Sequence, residues 1–271
     1  MFGISRAGGP LLAFAAAAAF ASAQWITYPT PNVPRKAGGS PNLSAPTPRT
    51  ADGKPDLTGI WDPEKNRPCP KDGCFDQQFI EEFSNIGWSL KGGLPYQPWA
   101  LKLKNERHAA NGKDDPGTSC KPIGIVKDHT APFFRRMIQI PGLLAILTEH
   151  DATFRQIYTD GRPLPEDPQP TPLGYSTGRW EGDTLVVQTN GIPDGQWLDR
   201  DGSPLTDAAR ITERFRRPDY GHLQIELTVN DPKAYTAAWT VTLKQVIVID
   251  EQMLNSFCME AEKDAGHLVA H

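Results

Sequence analysis

The sequence is short of most features that announce a function. Beyond residue 20 no apolar run approaches the ~20 residues of a membrane-spanning helix, so no integral membrane segment is expected. Basic residues are not in excess: 28 Lys and Arg stand against 32 Asp and Glu, for a net charge of −4. That balance speaks against nucleic acid or an anionic membrane surface as a partner. There is no G-x-S-x-G elbow and no serine that stands out as a nucleophile, which argues against a Ser-His-Asp hydrolase. Neither standard spacing of a glycine-rich phosphate loop occurs. The six histidines, His108, His129, His150, His222, His267 and His271, contain no H-x-H or H-E-x-x-H pair. The segment Asp199 to Ser203 (DRDGS) begins like a calcium loop but lacks the later ligands, and is expected to be a hairpin turn. No metal site and no cofactor are expected, and no internal repeat stands out.

The N-terminus carries what positive information there is about compartment. Arg6 supplies a basic n-region, Pro10 to Phe20 form a short apolar run, and Ala21-Ser22-Ala23 presents the small-x-small pattern that signal peptidase cuts after. The run lacks the amphipathic stripe of a buried helix. Residues 1–23 are therefore expected to be a signal peptide, and the protein to be exported, periplasmic or secreted. Cleavage there leaves Gln24 first, with no cysteine to be lipidated, and removes Arg6 as the one charged residue lost. The remaining chain, roughly 250 residues, suffices for one large β domain or two small ones.

Four cysteines, Cys69, Cys74, Cys120 and Cys258, are an even number in an oxidising compartment and suggest two disulfides. Three connectivities are open. The favoured one joins Cys69 to Cys74 across the turn-forming CPKDGC and Cys120 to Cys258, a long closure worth about 4–5 kcal/mol in the chain-entropy model. Zinc is disfavoured because the x4 spacing is unusual and no histidine lies near either cysteine of the pair.

Residues 24–56, rich in Pro, Gly, Ser and Thr, are expected to be an extended leader that buries too little apolar surface to fold alone. Residues 57–271 are expected to form one β-rich domain. Leu57 to Trp61 makes a first short strand, Gln77–Phe83 a short helical piece, and Pro98 to Ala110 a helix with Trp99, Leu103 and Ala110 on one face. From Phe133 to Cys258 the pattern is β. Strands are expected at 133–140, 143–149, 154–159, 173–181, 184–189, 208–217, 222–229, 238–249 and 253–258, separated by turns such as Pro141-Gly142 and Gly182-Asp183. Tight turns pair neighbours antiparallel, and so many consecutive strands favour an up-and-down β-barrel or strongly curled sheet. A β-sandwich is the alternative.

Five stretches, ADGKPDLTGIW (51–61), YQPWALKLKNER (96–107), FRQIYTDGRPLP (154–165), GYSTGRWEGDTLVVQTNG (174–191) and ITERFRRPDYGHLQIELTVNDPKAYTAAWTV (211–241), taken together, resemble a family of uncharacterised exported bacterial proteins rich in β-strand. The resemblance spans most of the chain after the leader and implies, by analogy, a lipocalin-like (calycin-type) barrel. It brings no catalytic residues to carry over.

Strand alternation supplies the candidate site. Glu213 shares a face with Ile211 and Phe215, Arg155 with Ile157, Thr189 with Leu185 and Val187, and Gln245 with Trp239, Val241 and Leu243. All four polar side chains are expected to point inward, where a carboxylate is tolerated only if paired, and Arg155 is the natural partner of Glu213. The pair is either a structural ion pair that fixes register or a ligand-orienting or acid/base group, and Glu213 and Arg155 are the candidate catalytic residues. Tyr158 and Trp239, with Thr189 and Gln245, are candidate ligand contacts. Trp197 stands in the 190–207 loop as either a lid over a cavity or an anchor in the core. His150 and His222 are expected at turns or at the barrel rim, His222 being a further ligand candidate. Three functions follow. The first is a small-molecule-binding barrel holding a partly apolar or aromatic ligand. The second is a cofactor-independent lyase, isomerase or hydrolase in which Glu213 has a raised carboxyl pKa. The third is an envelope protein-interaction module working through the leader or helix 98–110.

Overall fold

Alternation at a period of two along residues 133–249 is what a wall with one buried face requires, and a wall without free edges must close. In the computed structural model, which describes residues 29–65 and 80–257, it does. The strands are β1 (Gly59–Pro63), β2 (Arg135–Ile140), β3 (Leu143–Thr148), β4 (Phe154–Tyr158), β5 (Tyr175–Glu181), β6 (Thr184–Asn190), the two-residue β7 (Gln196–Trp197) and β8 (Pro204–Leu205), then β9 (Arg210–Arg216), β10 (His222–Asn230) and β11 (Trp239–Val248). Nine of them form a closed barrel in the order β1-β11-β10-β9-β6-β5-β4-β3-β2, while β7 and β8 pair as a separate hairpin around DRDGS. Residues 1–23, the start of the helical piece at Gln77, and Cys69, Cys74 and Cys258 lie outside the described residues.

The barrel is up-and-down with one exception. Nine is an odd number, so a ring of alternating strands must contain a parallel neighbour, and that neighbour pair is β4 and β5. A parallel pair needs a crossover rather than a tight turn. Residues 159–174 provide it with Pro163, Pro165, Pro168, Pro170 and Pro172, which have no N–H to add to a ladder. The seam is short: Ile157 faces Ser176 and Tyr158 faces Thr177, and among the described residues no strand lies beside the first half of β4 on that side.

Residues 253–257 do not form the strand expected there. β1 already occupies the free edge of β11, and Asp250, at φ 61°, turns the chain away, so that Ser256 makes a single bridge to His150. An element without a strand pattern was missed. Helix α3 (Ile125–Thr130), which follows the short α1 (Glu81–Ser84) and α2 (Pro98–Ala109), has all six residues buried and bonds to the inward side chains of the barrel, with Lys127 ion-paired to Asp115. In α2 the expected apolar face is corrected. Trp99 is 45% exposed and hydrogen-bonds to the Lys233 carbonyl at 2.8 Å. Ala100 is buried, with Leu103, Lys104 and Arg107 half-buried beside it; Lys104 pairs with Asp201 at 3.2 Å and Arg107 donates to the Gly202 carbonyl at 3.0 Å. The β7–β8 turn thus draws a polar stripe of the helix inward.

The leader is neither free nor without repeats. The pattern P-R-x-A-x-G-x-P-x-L occurs at Pro34 to Leu43 and again at Pro48 to Leu57. Both copies fold alike: Arg35 Nη1 donates to the Gly39 carbonyl at 2.9 Å and Arg49 Nη1 to the Gly53 carbonyl at 2.8 Å. Bridges join Arg35 to Pro41 and Arg49 to Pro55. Four of the ten positions differ between the copies, which hid the repeat in the sequence. The segment is strapped across the β9–β10 turn, where Tyr220 N donates to the Ala45 carbonyl at 2.8 Å and Gly221 N to the Leu43 carbonyl at 2.7 Å. Beneath it Arg217 stacks on Trp61 at 4.9 Å and on Tyr220 at 5.2 Å, covering that part of the barrel.

The strap leaves no room at Gly221. A Cβ there would stand 2.5 Å from Leu43 Cβ and 2.9 Å from the Leu43 carbonyl oxygen. Gly221→Ala is expected to lift the 29–56 segment and lose about 1–3 kcal/mol. Limited proteolysis should then cut that segment several-fold faster, and an unchanged cleavage rate would show that the strap is held elsewhere.

Candidate functional site

Six barrel strands aim polar side chains at one region of the interior. Register sets this up: Ser176 on β5 lies opposite Thr189 on β6, Thr189 is next to Ile211 on β9, and Glu213 follows two residues on along the same inward face. Arg155 reaches in from β4. Its Nη1 donates to Glu213 Oε1 at 2.9 Å, its Nη2 to Glu213 Oε2 and, at 2.9 Å, to Thr189 Oγ1, and its Nε to Ser176 Oγ at 3.2 Å. The arrangement is a bidentate, charge-assisted pair with its remaining donors capped by hydroxyls. Glu213 has no exposed surface and Arg155 is 4% exposed.

The plug helix completes the network. His129 Nε2 lies 2.7 Å from Glu213 Oε1, and His129 Nδ1 lies 2.9 Å from Arg135 Nη1. A guanidinium has donors and no acceptor, so Nδ1 must carry the lone pair and Nε2 the hydrogen. His129 is therefore a neutral imidazole that accepts from Arg135 and donates to Glu213. Arg135 also donates to the Asp128 carbonyl at 3.0 Å and to Gln245 Oε1, while Gln245 Nε2 donates to the His129 carbonyl at 3.1 Å. Among the described residues Arg135 Nε has no hydrogen-bond partner.

The electrostatics follow from burial. Burial raises the Glu213 carboxyl, but Arg155, by charge and by hydrogen bonds, and His129 outweigh it and pull the pKa to about 2. Burial holds His129 below its ordinary value, against the pull of Glu213. Burial also brings Arg135 down to about 10. The acid/base reading of Glu213 requires an open pocket around it and a raised carboxyl pKa; the structure has neither. Glu213 is a sealed, ionised anchor for Arg155.

The outer end of this network meets a cleft. Where β4 lacks a strand neighbour, a cavity of about 510 Å³ opens between β4 and the end of the crossover. Arg155 and Ser176 line its inner end. Phe154, 63% exposed, and Tyr158 line it from β4, and Pro122, Pro172 and Leu173 add apolar surface. Tyr158 stacks on Tyr175 with ring centres 5.4 Å apart, and the Arg162 guanidinium lies 3.8 Å above the Tyr158 ring.

Of the sequence-predicted residues, Glu213, Arg155 and Thr189 meet directly, and Gln245 joins them through Arg135 and His129. Tyr158 reaches the cleft from the outer face of the barrel. The others lie apart from it. Trp239 is in the core, edge-on to Tyr235 at 5.7 Å. Trp197 is 4% exposed beneath the Arg107 guanidinium at 4.5 Å, and so anchors its loop. His222, at the start of β10, bonds Asp219 at 2.7 Å. Asp199 of DRDGS accepts from Ile86 N and Ser203 N, both at 3.0 Å, as a turn residue does. Among the described residues no group of three His, Cys, Asp or Glu side chains is placed to hold a metal. Sequence reasoning missed Ser176 and Arg135, although alternation puts Arg135 on the face of Met137. It also missed His129, which no strand pattern could have placed.

Glu213→Gln leaves a buried guanidinium without its counter-charge and is expected to lose about 3–5 kcal/mol. Urea denaturation measures this, and a loss below 1 kcal/mol would mean that Arg155 finds another partner. Acid should weaken the fold in two stages. His129 and Glu213 both have folded pKa values below their unfolded ones, so the unfolded chain takes up protons first and stability falls with falling pH. The loss begins below the ordinary histidine value of 6.5 and deepens from 4.5 toward 2 as Glu213 protonates. His129→Gln should abolish the first stage in a pH series of melting temperatures. No protein-family model matches the chain and no curated protein matches its sequence, so the site is read from its own geometry.

Proposed function

We propose that this protein is an exported small-molecule-binding barrel whose ligand, a partly apolar or aromatic molecule, sits in the cleft between β4 and the crossover. The observation that carries the reading is the cleft itself. Its volume, about 510 Å³, falls within the ~300–1,000 Å³ typical of sites for single small molecules. The surface it exposes is mainly apolar, with Phe154, Tyr158, Pro122, Pro172 and Leu173 set among polar side chains such as Thr153, Gln156 and Thr171. The interior of the barrel offers less: the inward polar side chains bond one another, and α3 carries His129 into their midst. The support for export is in the sequence, in Arg6, the apolar run 10–20 and Ala21-Ser22-Ala23, and in the resemblance to exported β-rich proteins. On this reading Glu213 takes no part in chemistry. It is a positioning residue that fixes Arg155 and so holds the inner end of the cleft in shape.

Phe154 is largely exposed and touches the cleft, so Phe154→Ala removes binding surface without disturbing the core. Protein recovered from a periplasm should show, by native mass spectrometry, a discrete small-molecule increment that disappears on denaturation and is reduced about tenfold in occupancy in the Phe154→Ala protein, as loss of one aromatic contact implies. A bare chain mass together with no retention of added aromatic probes would sink the proposal.

A further inference from the structure

We infer that this cleft selects an uncharged ring-bearing molecule with hydroxyl or carbonyl groups and rejects carboxylates and phosphates. The inference rests on the binding reading above. It comes from an inventory of the charges that a ligand would meet there.

One arginine, Arg155, lines the cleft and a second, Arg162, lies over the Tyr158 ring at its edge, and both are already engaged. Arg155 gives its Nε to Ser176, its Nη1 to Glu213 and its Nη2 to Glu213 and Thr189. Drawing it toward an anionic ligand would strip a fully buried carboxylate of its counter-charge, which is strongly unfavourable. Arg162, exposed at the edge of the cleft, is engaged differently. Asp160 takes its Nε at 3.0 Å and its Nη2 at 2.6 Å, the guanidinium plane rests on Tyr158, and its Nη1 lies 3.4 Å from the Tyr175 hydroxyl. Its charge is balanced before any ligand arrives. The remaining ionisable group in the lining apart from the tyrosines is Asp151, an acid. An anion entering the cleft would lose hydration and meet, among the described residues that line it, no cation that is not already paired.

What the cleft does offer is flat apolar surface and neutral polar groups. Phe154, Tyr158, Pro122 and Pro172 suit the face of a ring. The Gln156 amide, which accepts from the Tyr158 hydroxyl at 3.1 Å, and the Thr153 and Thr171 hydroxyls can bond hydroxyl or carbonyl groups on its edge.

A matched pair of probes tests this on the full mature chain at neutral pH. 2-Naphthol and 2-naphthoate share one ring system and differ in charge, and equilibrium dialysis reads their binding to the wild type, to Phe154→Ala and to Asp160→Asn. The expected result is naphthol bound at least about tenfold more tightly than naphthoate, with naphthol binding weakened in Phe154→Ala. In Asp160→Asn, which removes the charge that balances Arg162, the preference should narrow several-fold toward naphthoate. Naphthoate bound as tightly as naphthol, with both weakened by Phe154→Ala, would overturn the charge selection and leave the binding site standing. Neither probe binding, or both binding regardless of Phe154→Ala, would overturn the site and this inference with it.

Discussion

The pair formed by Arg155 and Glu213 is the interaction on which the rest of the interior is arranged. A carboxylate with no exposed surface is tolerated only when its charge and both its oxygens are satisfied. Arg155 meets the charge and both oxygens from β4, and His129 adds a second hydrogen bond to Oε1 from α3. Each partner brings further demands. Arg155 has donors left over, which Ser176 and Thr189 cap. His129 can donate from Nε2 only because Arg135 holds the lone pair of Nδ1, and Arg135 in turn draws in Gln245. The network therefore ties strands from opposite sides of the barrel to the plug helix, and a shift of one residue in any strand's register would leave one of its members unpaired.

The second constraint is arithmetical. A closed ring of nine strands cannot alternate throughout, so one seam is parallel, and a parallel seam cannot be joined by a tight turn. The proline-rich crossover that joins it is unable to pair along its whole length, and half of β4 is left without a neighbour on that side. The cleft occupies that vacancy. Its position against Arg155 means that a buried polar group bonded by Glu213, Thr189 and Ser176 also lines this opening. The same engagement that stabilises the fold withholds the guanidinium from a ligand.

Much of this was legible in the sequence because strand periodicity is a local signal. Ile211, Glu213 and Phe215 share a face wherever the strand sits, and the same holds for Arg155 with Ile157 and for Thr189 with Val187. The inward polar set and the ion pair could be anticipated on that basis. The apolar face expected of α2 was misjudged because a short helix lying on a polar turn buries whatever the turn bonds, here the stems of Lys104 and Arg107. The strand expected at 253–258 did not form over its described residues 253–257 for a topological reason: closure had already used the edge it would have needed. His129 escaped notice because its segment has neither strand nor heptad pattern, and its role exists only relative to Glu213, far away in the chain.

By itself, then, the sequence determined the β class, the turns, and the side of each strand on which a residue lies, because those depend on neighbours two to four residues away. Only the tertiary structure decided that the ring holds an odd number of strands, that a helix plugs it, and that Glu213 is ionised and sealed rather than open and raised in pKa. Those outcomes depend on which distant groups share a low-dielectric interior. There a single guanidinium or imidazole a few ångströms away reverses what burial alone would do to a carboxylate.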